Sequence, residues 1–148
     1  MVESRRAKQG FLREHSLSIA SISILGLWIG FYSFSDPSTH LGSFFGNAIA
    51  DWSGVVVMIF ATKYLYEKGS AESRQLPKSF LRPALEWLRE HSLSLFLFLT
   101  GAGWVVLYIR MDSESKWGQV VGNIVSEWTQ ILGLVLLTKH MIERHSKE

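Results

Sequence analysis

The chain of 148 residues has no cysteine, only three prolines and no charged residue between Leu17 and Ser35. The missing cysteines exclude a disulfide framework and a thiolate metal site. The uncharged stretch does not fit a surface helix of a soluble bundle, which carries charge opposite its apolar stripe. Phosphate-binding loops, dinucleotide fingerprints, zinc motifs and catalytic-triad spacings are also missing. We therefore expect no enzymatic activity, no cofactor, no metal site and no nucleic-acid partner.

The apolar residues are gathered in four long runs: Leu17–Phe34, Phe44–Tyr66, Leu93–Ile109 and Val120–Ile142. Crossing a bilayer takes roughly 20 mainly apolar residues. The pattern predicts an all-α membrane protein with four transmembrane helices, forming a single membrane domain over residues 1–148. A basic segment before the first run is also typical of a signal peptide. Because no small-residue cleavage site follows that run, we expect the helix to be retained.

Thirteen of the fifteen lysines and arginines lie in the amino-terminal segment, the central connection or the carboxy-terminal segment. By the positive-inside rule, both termini and the central connection are cytoplasmic. The location expected is the bacterial cytoplasmic (inner) membrane, with anionic lipid headgroups as contacts of the basic segments. Lys63 and Lys139 are expected to extend to those headgroups. His15 and His91, at the same ends, are expected to form interfacial hydrogen bonds.

Residues 11–70 align without a gap with residues 87–146, and 18 of these 60 positions are identical. Chance would give about 4 identities, from typical residue frequencies. The alignment indicates an internal duplication, with repeat units 11–70 and 87–146 and a cytoplasmic linker 67–86. Each unit crosses the membrane twice, so both units start on the same side. The prediction is a four-helix bundle made of two parallel tandem repeats of a helical hairpin.

Local signals give the parts of each hairpin. The turns are predicted at Asp36-Pro37-Ser38 and at Asp112-Ser113-Glu114, inside connections of about nine residues. A short amphipathic piece at the membrane interface is expected to precede each hairpin. In the second unit Pro83 suits the first position of that piece.

The most informative stretch runs over residues 42–63 and is repeated at 118–139. Asn47 and Asp51 are four residues apart, as are Asn123 and Glu127, so each pair lies on one helix face. This candidate intramembrane polar site has two interpretations. The acids lie within the bilayer core, or Trp52 marks an outer aromatic belt and the acids lie among headgroups.

A second row, one position away, consists of small residues that would let helices approach closely. This helix-packing stripe contains Gly42, Gly46, Ala50 and Gly54 in the first copy and Gly118, Gly122 and Ser126 in the second. We expect the second and fourth helices to meet near a pseudo-two-fold axis. Asp51 and Glu127 would then be close, and two like charges there disfavour double ionisation.

Several motifs resemble an uncharacterised bacterial family of small membrane proteins. They are the LREHSLS openings at Leu12 and Leu88, the regions around Trp52 and Trp128, and the segment KGSAES that begins at Lys68. The resemblance covers both units. It implies a repeated two-transmembrane-helix unit, which in that family is a domain of unknown function, and it implies no activity.

Two functions therefore remain open. The protein acts through helix–helix association, as an oligomer or as an accessory subunit of a larger membrane complex. Alternatively, it is a channel or transporter for protons or small cations, lined by Asn47, Asp51, Asn123 and Glu127.

Overall fold

A computed structural model describes residues 13–75 and 83–141. Five helices lie wholly in these ranges: α1 (Ser16–Phe34), α2 (His40–Tyr64), α3 (Pro83–Glu90), α4 (Ser92–Arg110) and α5 (Lys116–His140). Neither range contains a strand. Helices α1, α2, α4 and α5 are long and apolar enough to cross a membrane. The all-helical class is confirmed, and the four long helices fit a multi-pass membrane protein.

Helices α2 and α5 begin earlier than the apolar runs predict. Their first residues are His40 and Lys116, four positions before the predicted starts at Phe44 and Val120. Polar residues at the start of a helix do not extend an apolar run, so hydropathy alone misses the first turn. The connections are correspondingly shorter than the nine residues expected.

Side-chain caps explain these early starts. Thr39 and Ser115 accept hydrogen bonds from the backbone N–H groups of Gly42 and Gly118, at 3.1 and 3.0 Å. Such N-caps satisfy donors that have no partner within the helix. Before the first cap, Asp36 Oδ1 accepts from the Ser38 N–H at 2.9 Å, which closes the predicted turn. The second turn is closed in the same way at Asp112.

Three helix pairs make extensive contact: α1 with α2, α2 with α5, and α4 with α5. Helices α2 and α5 are therefore central, as predicted for the second and fourth spans, and α1 and α4 flank them. Two buried clusters lie along the bundle. The one nearer the hairpin turns contains Tyr32, Ile49, Ala50, Val120, Ile124 and Trp128, and the other contains Ala61, Leu93, Leu97, Ile131 and Val135.

The flanking helices bury little of their surface. Helix α1 buries only Ser21 and Tyr32, and α4 only Leu93 and Leu97. Large apolar side chains on both helices are exposed, as with Phe34 at 96%. An exposed apolar surface of this extent is expected where lipid, rather than water, surrounds the protein.

The two ends of the long helices differ in chemistry. We call the end formed by residues 35–39 and 111–115 the turn end, and the end formed by residues 65–75, His15, His91 and Met141 the linker end. At the turn end, the Tyr32 hydroxyl donates to the Lys116 carbonyl at 2.5 Å. The Lys116 ammonium donates to the Ser33 and Ser35 carbonyls at 3.1 and 2.6 Å. These bonds join the first hairpin to the start of α5.

Candidate functional site

A polar surface lies where α2 and α5 meet. The Asn123 Nδ2 group donates a hydrogen bond of 2.6 Å to Asn47 Oδ1. A cavity of about 130 Å³ beside this bond is lined by polar side chains alone: Asn47, Asp51, Asn123, Ser126, Glu127 and Gln130. We call these six residues the polar face. The structure thus brings the four residues of the predicted polar site together and adds Ser126 and Gln130.

The polar face opens onto the surface of the single chain. Asn47, Asp51, Ser126 and Gln130 are exposed, whereas Asn123 and Glu127 are half-buried. Neither carboxylate forms an ion pair with a described residue. The polar face is therefore an open groove between two helices rather than the closed interior of a bundle.

The acids lie in the middle of their helices. Asp51 is eleven residues after the first residue of α2 and thirteen before its last. Glu127 occupies the corresponding position in α5. At 1.5 Å per residue, each acid is about 17 Å from one end of its helix and about 20 Å from the other. Hydropathy does not detect the capped first turns of α2 and α5. These turns lengthen each helix between its acid and the turn end.

A second cavity, of about 180 Å³, continues the groove towards the linker end. It is lined by Gly54, Val55, Met58, Glu72, Glu127, Ile131 and Leu134. Glu127 lines both cavities, and Glu72 belongs to the connection that follows α2. A line of three carboxylates therefore runs along the α2–α5 groove from the middle of the helices to the linker end: Asp51, Glu127 and Glu72.

Residues of the predicted packing stripe occupy several different environments. A Cβ atom at Gly42 or Gly118 would overlap the carbonyl oxygen of Asp36 or Asp112, so both glycines let their helix fold tightly onto the preceding turn. A Cβ atom at Gly46 would lie 3.2 Å from the Tyr32 ring. The equivalent contact of Gly122 is with Tyr108, within the second hairpin. These four glycines therefore serve contacts inside one hairpin.

The remaining stripe residues lie closer to the contact between the hairpins. A Cβ atom at Gly54 would lie 2.7 Å from Glu127 Oε1 and from Ile131 Cδ1, so this glycine permits the close approach of α2 and α5. Ala50 is 1% exposed and packs in the cluster with Val120 and Ile124. Ser126 is exposed and belongs to the polar face.

At the linker end, the structure shows a buried ionic cluster that the sequence reasoning missed. Glu67 is 2% exposed. Its Oε1 atom accepts from His91 Nδ1 at 2.7 Å and from the Lys139 ammonium at 2.9 Å. The other oxygen, Oε2, is buried without a hydrogen-bond partner among the described residues, as is the neighbouring Ser94 hydroxyl. Glu67 thus ties the chain after α2 to both helices of the second hairpin.

The environment of Glu67 keeps its carboxylate charged. Burial acts to raise the pKa of Glu67. Lys139, the Ser94 hydroxyl and His91 outweigh burial, and the net pKa lies below the ordinary value. Ser94 acts from close by, although its hydroxyl and Oε2 do not meet in hydrogen-bond geometry. The carboxylate also lies beside the first turn of α4, where the helix dipole favours an anion.

Backbone bonds hold Glu67 in this position. The Leu93 N–H donates to the Tyr66 carbonyl at 2.9 Å, and the Lys68 N–H donates to the Glu90 carbonyl at 2.8 Å. The Ser92 hydroxyl accepts from the Tyr66 N–H at 2.8 Å. The Leu93 N–H at the start of α4 thereby finds a partner outside its helix, and the Tyr66 and Lys68 N–H groups after α2 find theirs at α3 and α4.

The expectation that Lys139 extends to the headgroups is wrong. Its ammonium is bonded to Glu67, and its side chain is only 23% exposed. Lys63 is likewise turned onto the protein, with its ammonium 3.3 Å from His15 Nδ1. Nothing in the spacing of the sequence pairs these residues, since Glu67 and Lys139 are 72 positions apart. The signal that the sequence did offer is that Glu67, His91 and Lys139 are each identical to the residue 76 positions away. Glu143, the repeat counterpart of Glu67, lies outside the described residues.

Over residues 13–75 and 83–141, no group of three His, Asp or Glu side chains could hold a metal ion. No family model, curated protein or solved structure matches the chain.

Proposed function

We propose that this membrane protein functions through helix association, and that a second copy of the chain binds on the polar face. The observation that supports this proposal is the exposure of Asn47, Asp51 and Gln130 halfway along the central helices of a four-span protein. In this position the acids lie within the bilayer core, the first of the two interpretations of the sequence.

Contact between this polar surface and lipid tails is energetically unfavourable. A charged side chain at the bilayer centre costs about 2.5–3.5 kcal/mol on insertion scales. Such residues face a protein interior or a water-filled cavity, and the chain alone provides only an open groove. Covering the groove with protein removes the carboxylates and amides from lipid and supplies hydrogen-bond partners.

The occupant that fits best is an identical groove. Soluble oligomers built from one chain most often use a two-fold contact, in which the same patch meets itself. The polar face supplies both donors and acceptors, because amides carry both and serine and glutamine add more. Two facing copies would place α2 and α5 of each chain around one polar interior, with α1 and α4 outside towards lipid.

Single cysteines test this arrangement directly, since the chain has none of its own. Gln130→Cys places a thiol on the polar face, and oxidation in native membranes should yield a cross-linked product of twice 16.8 kDa. Ile22→Cys is the matched control, because Ile22 is 49% exposed on the outer face of α1. We expect little product from the control.

Two results would contradict the proposal. Equal cross-linking of both variants would indicate random collision. A Gln130→Cys variant that stays monomeric, together with a monomer in native mass spectrometry from mild detergent, would leave the groove without a second copy. A product of another mass would instead identify a heterologous partner, and the protein would be an accessory subunit.

A second candidate function, conduction of protons or small cations, is favoured by the two cavities that share Glu127. Their carboxylates would line a path from the middle of the bundle to the linker end within the assembled dimer. Liposome flux assays should show cation movement that the double variant Asp51→Asn, Glu127→Gln abolishes. Glu114→Gln, at an exposed turn-end position, should leave the flux unchanged. Flux no greater than in empty liposomes would remove this candidate.

We further infer that the linker end faces the cytoplasm of a bacterium, at the inner membrane. Support comes from the basic residues of the connection, of which Lys68 and Arg74 are exposed. These cations would contact anionic headgroups. Parallel tandem repeats are supported by the helix bounds, since α1 and α2 match α4 and α5 at the offset of 76 positions. Membership of the uncharacterised two-helix family is also retained as a proposal, on the sequence motifs.

A further inference from the structure

An apolar groove lies between α4 and α5 on the surface of the second hairpin. Its cavity measures about 410 Å³, and none of its ten lining residues is charged. Trp128 and Thr129 are the two lining residues with a polar side-chain atom. The Trp128 Nε1 group donates to Thr100 Oγ1 at 2.9 Å, and the Thr129 hydroxyl donates to the Ser126 carbonyl at 2.7 Å. Because both polar atoms already have partners, the groove favours a hydrocarbon occupant over water.

Small residues in the middle of α4 form this groove. Gly101 is nine residues from each end of α4, so the groove lies at the centre of the span. A Cβ atom at Gly101 would lie 3.3 Å from Trp128 Cδ1, and the glycine therefore lets the indole pack against the helix. Ala102 is exposed beside it. Phe98 and Val106, one turn before and one turn after Ala102, are 63% and 50% exposed and project beyond this gap.

The groove and the polar face use opposite sides of α5. Val125 lines the groove, and Asn123 belongs to the polar face. These residues are two positions apart, which separates their side chains by about 200° around the helix. The groove therefore still faces lipid when a second copy covers the polar face, and a ligand in the groove does not require that dimer.

An exposed arginine lies at the turn end of this groove. Arg110 is the last residue of α4 and follows Val106 by about one helical turn. It forms no ion pair with a described residue, and the acids of the adjoining turn, Asp112 and Glu114, are themselves exposed. Side chains on a helix lean towards its amino terminus, which directs the guanidinium of Arg110 back along the surface of α4 towards the groove.

We propose that one phospholipid binds here, with an acyl chain in the groove and its phosphate at Arg110. A guanidinium stays charged and pairs with phosphate through two parallel hydrogen bonds. Because the 19 residues of α4 span about 28 Å, its last residue lies near the headgroups. A flexible chain fits between Phe98 and Val106, whereas a rigid helix of about 10 Å diameter would rest on their exposed side chains.

The first hairpin lacks both features. At the offset of 76 positions, Leu25 stands in place of Gly101 and Phe34 in place of Arg110. Leu25 packs against the buried cluster nearer the turns, and Phe34 is 96% exposed and carries no charge. General contact with lipid treats the two hairpins alike, whereas a specific site predicts a difference between them.

Photolabelling of the full chain in proteoliposomes tests this site. The vesicles contain phosphatidylethanolamine and phosphatidylglycerol, and the probe is a phosphatidylglycerol with a diazirine near the middle of one acyl chain. Mass spectrometry of the labelled peptides should show several-fold more label on α4 and α5 than on α1 and α2. Equal labelling of the two hairpins would overturn the proposal.

Three variants test the parts of the site. Ala102→Leu fills the groove and Arg110→Gln removes the cation, and each should lower the label on α4 several-fold. Gly26→Leu is the matched control, because Gly26 is the counterpart of Ala102 and a Cβ atom there meets nothing within 4 Å. The control should leave the label on α4 unchanged. Undiminished labelling of Ala102→Leu or of Arg110→Gln would contradict the proposal.

A protein in the groove would give a different result. Oxidation of Ala102→Cys in native membranes should yield no cross-linked product. A product at twice the monomer mass would place a second copy in the groove, and a product of another mass would place a different protein there. Either product would overturn the assignment to a phospholipid. This outcome is independent of cross-linking through Gln130→Cys, which reports the dimer on the polar face.

Discussion

Asn47 and Asn123 occupy equivalent positions in the two sequence units and share one hydrogen bond of 2.6 Å between their side-chain amides. The bond lies where α2 and α5 meet, so it links the two hairpins through residues that the repeat places in register. A polar pair at one defined height also fixes the register of the two central helices.

The first prediction concerns this pair. Asn47→Ala and Asn123→Ala should show a coupling free energy of about 0.6 kcal/mol in a double-mutant cycle, the average for polar pairs between membrane helices, and of at most about 1.7 kcal/mol. The measurement is the free energy of unfolding in detergent. Ser43→Ala, at an exposed position of α2, is the control partner and should show no coupling with Asn123→Ala. Equal coupling in both cycles would indicate a general effect on α2.

The second prediction compares one substitution at two glycines. Gly42→Ala should destabilise the protein by about 1–3 kcal/mol or more, because the new Cβ atom overlaps the backbone carbonyl of Asp36 and cannot be accommodated by a side-chain rotation. Gly26→Ala has nothing within 4 Å of the new atom and should be neutral, or stabilising by up to about 1 kcal/mol through helix propensity. The measurement is the free energy of unfolding of both variants under identical conditions. Equal losses of stability would contradict the tight packing of Gly42 on the preceding turn.

A third prediction uses the two tyrosines at equivalent positions. Tyr32 is 1% exposed and its hydroxyl donates to the Lys116 carbonyl, whereas Tyr108 is 38% exposed and donates to no described residue. Tyr32→Phe should therefore lower stability by about 0.5–1.5 kcal/mol, and Tyr108→Phe should have little effect. Both variants keep the ring that packs on Gly46 or Gly122. A larger loss of stability for Tyr108→Phe than for Tyr32→Phe would contradict the assignment of the hydroxyl hydrogen bond to Tyr32.

The fourth prediction follows from the lowered pKa of Glu67. A carboxylate with a folded-state pKa below its unfolded value contributes stability that is present above the unfolded pKa, about 4.5, and is lost as the pH falls through the folded pKa. The midpoint temperature of thermal unfolding should therefore decrease as the pH is lowered below about 5. Glu67→Gln should be less stable at pH 7, by about 1–3 kcal/mol, and show a weaker acid dependence.

Glu90→Gln is the control for this acid effect. Glu90 pairs with Lys68 at 2.7 Å, but the lysine side chain is 64% exposed. A pair with an exposed lysine is screened by water and contributes little to stability, so this variant should retain the acid transition. If Glu67→Gln kept the full acid dependence, another carboxylate would be responsible.

The fifth prediction addresses orientation. Reporter fusions at Asp36 and Ser115, in the two turns, should read as external, and a fusion at Ser70, in the linker end, should read as cytoplasmic. The reason is the excess of lysine and arginine in the connection. An external signal at Ser70 would reverse the proposed orientation and move Glu67 and its partners to the other side of the membrane.

The sequence was sufficient for the helices but not for the pairing of side chains. Four apolar runs predict four long helices because a membrane span must satisfy its backbone within one segment. The closing turns at Asp36 and Asp112 were also predictable, since short-range turn chemistry depends on neighbouring residues. The first turns of α2 and α5 were missed because capping by Thr39 or Ser115 leaves no trace in hydropathy.

Contacts between residues far apart in the sequence were harder to predict. The matching positions of Asn47 and Asn123 in the two predicted sequence units were a guide, because residues on the face where two related helices meet lie near their own counterparts. Glu67 offered no such guide. It stands in a polar, charged segment, and its burial depends on how the chain after α2 crosses the start of α4.

The ammonium of Lys116 has one further consequence. It donates to two carbonyls at the end of α1, and the residue in the equivalent position of the first unit is His40, which makes no such bond to a described residue. A pair of identical hairpins would carry every contact twice or not at all. When both hairpins belong to one chain, their sequences can differ. One hairpin can then form hydrogen bonds that the other lacks, and a substitution in one hairpin leaves the sequence of the other unchanged.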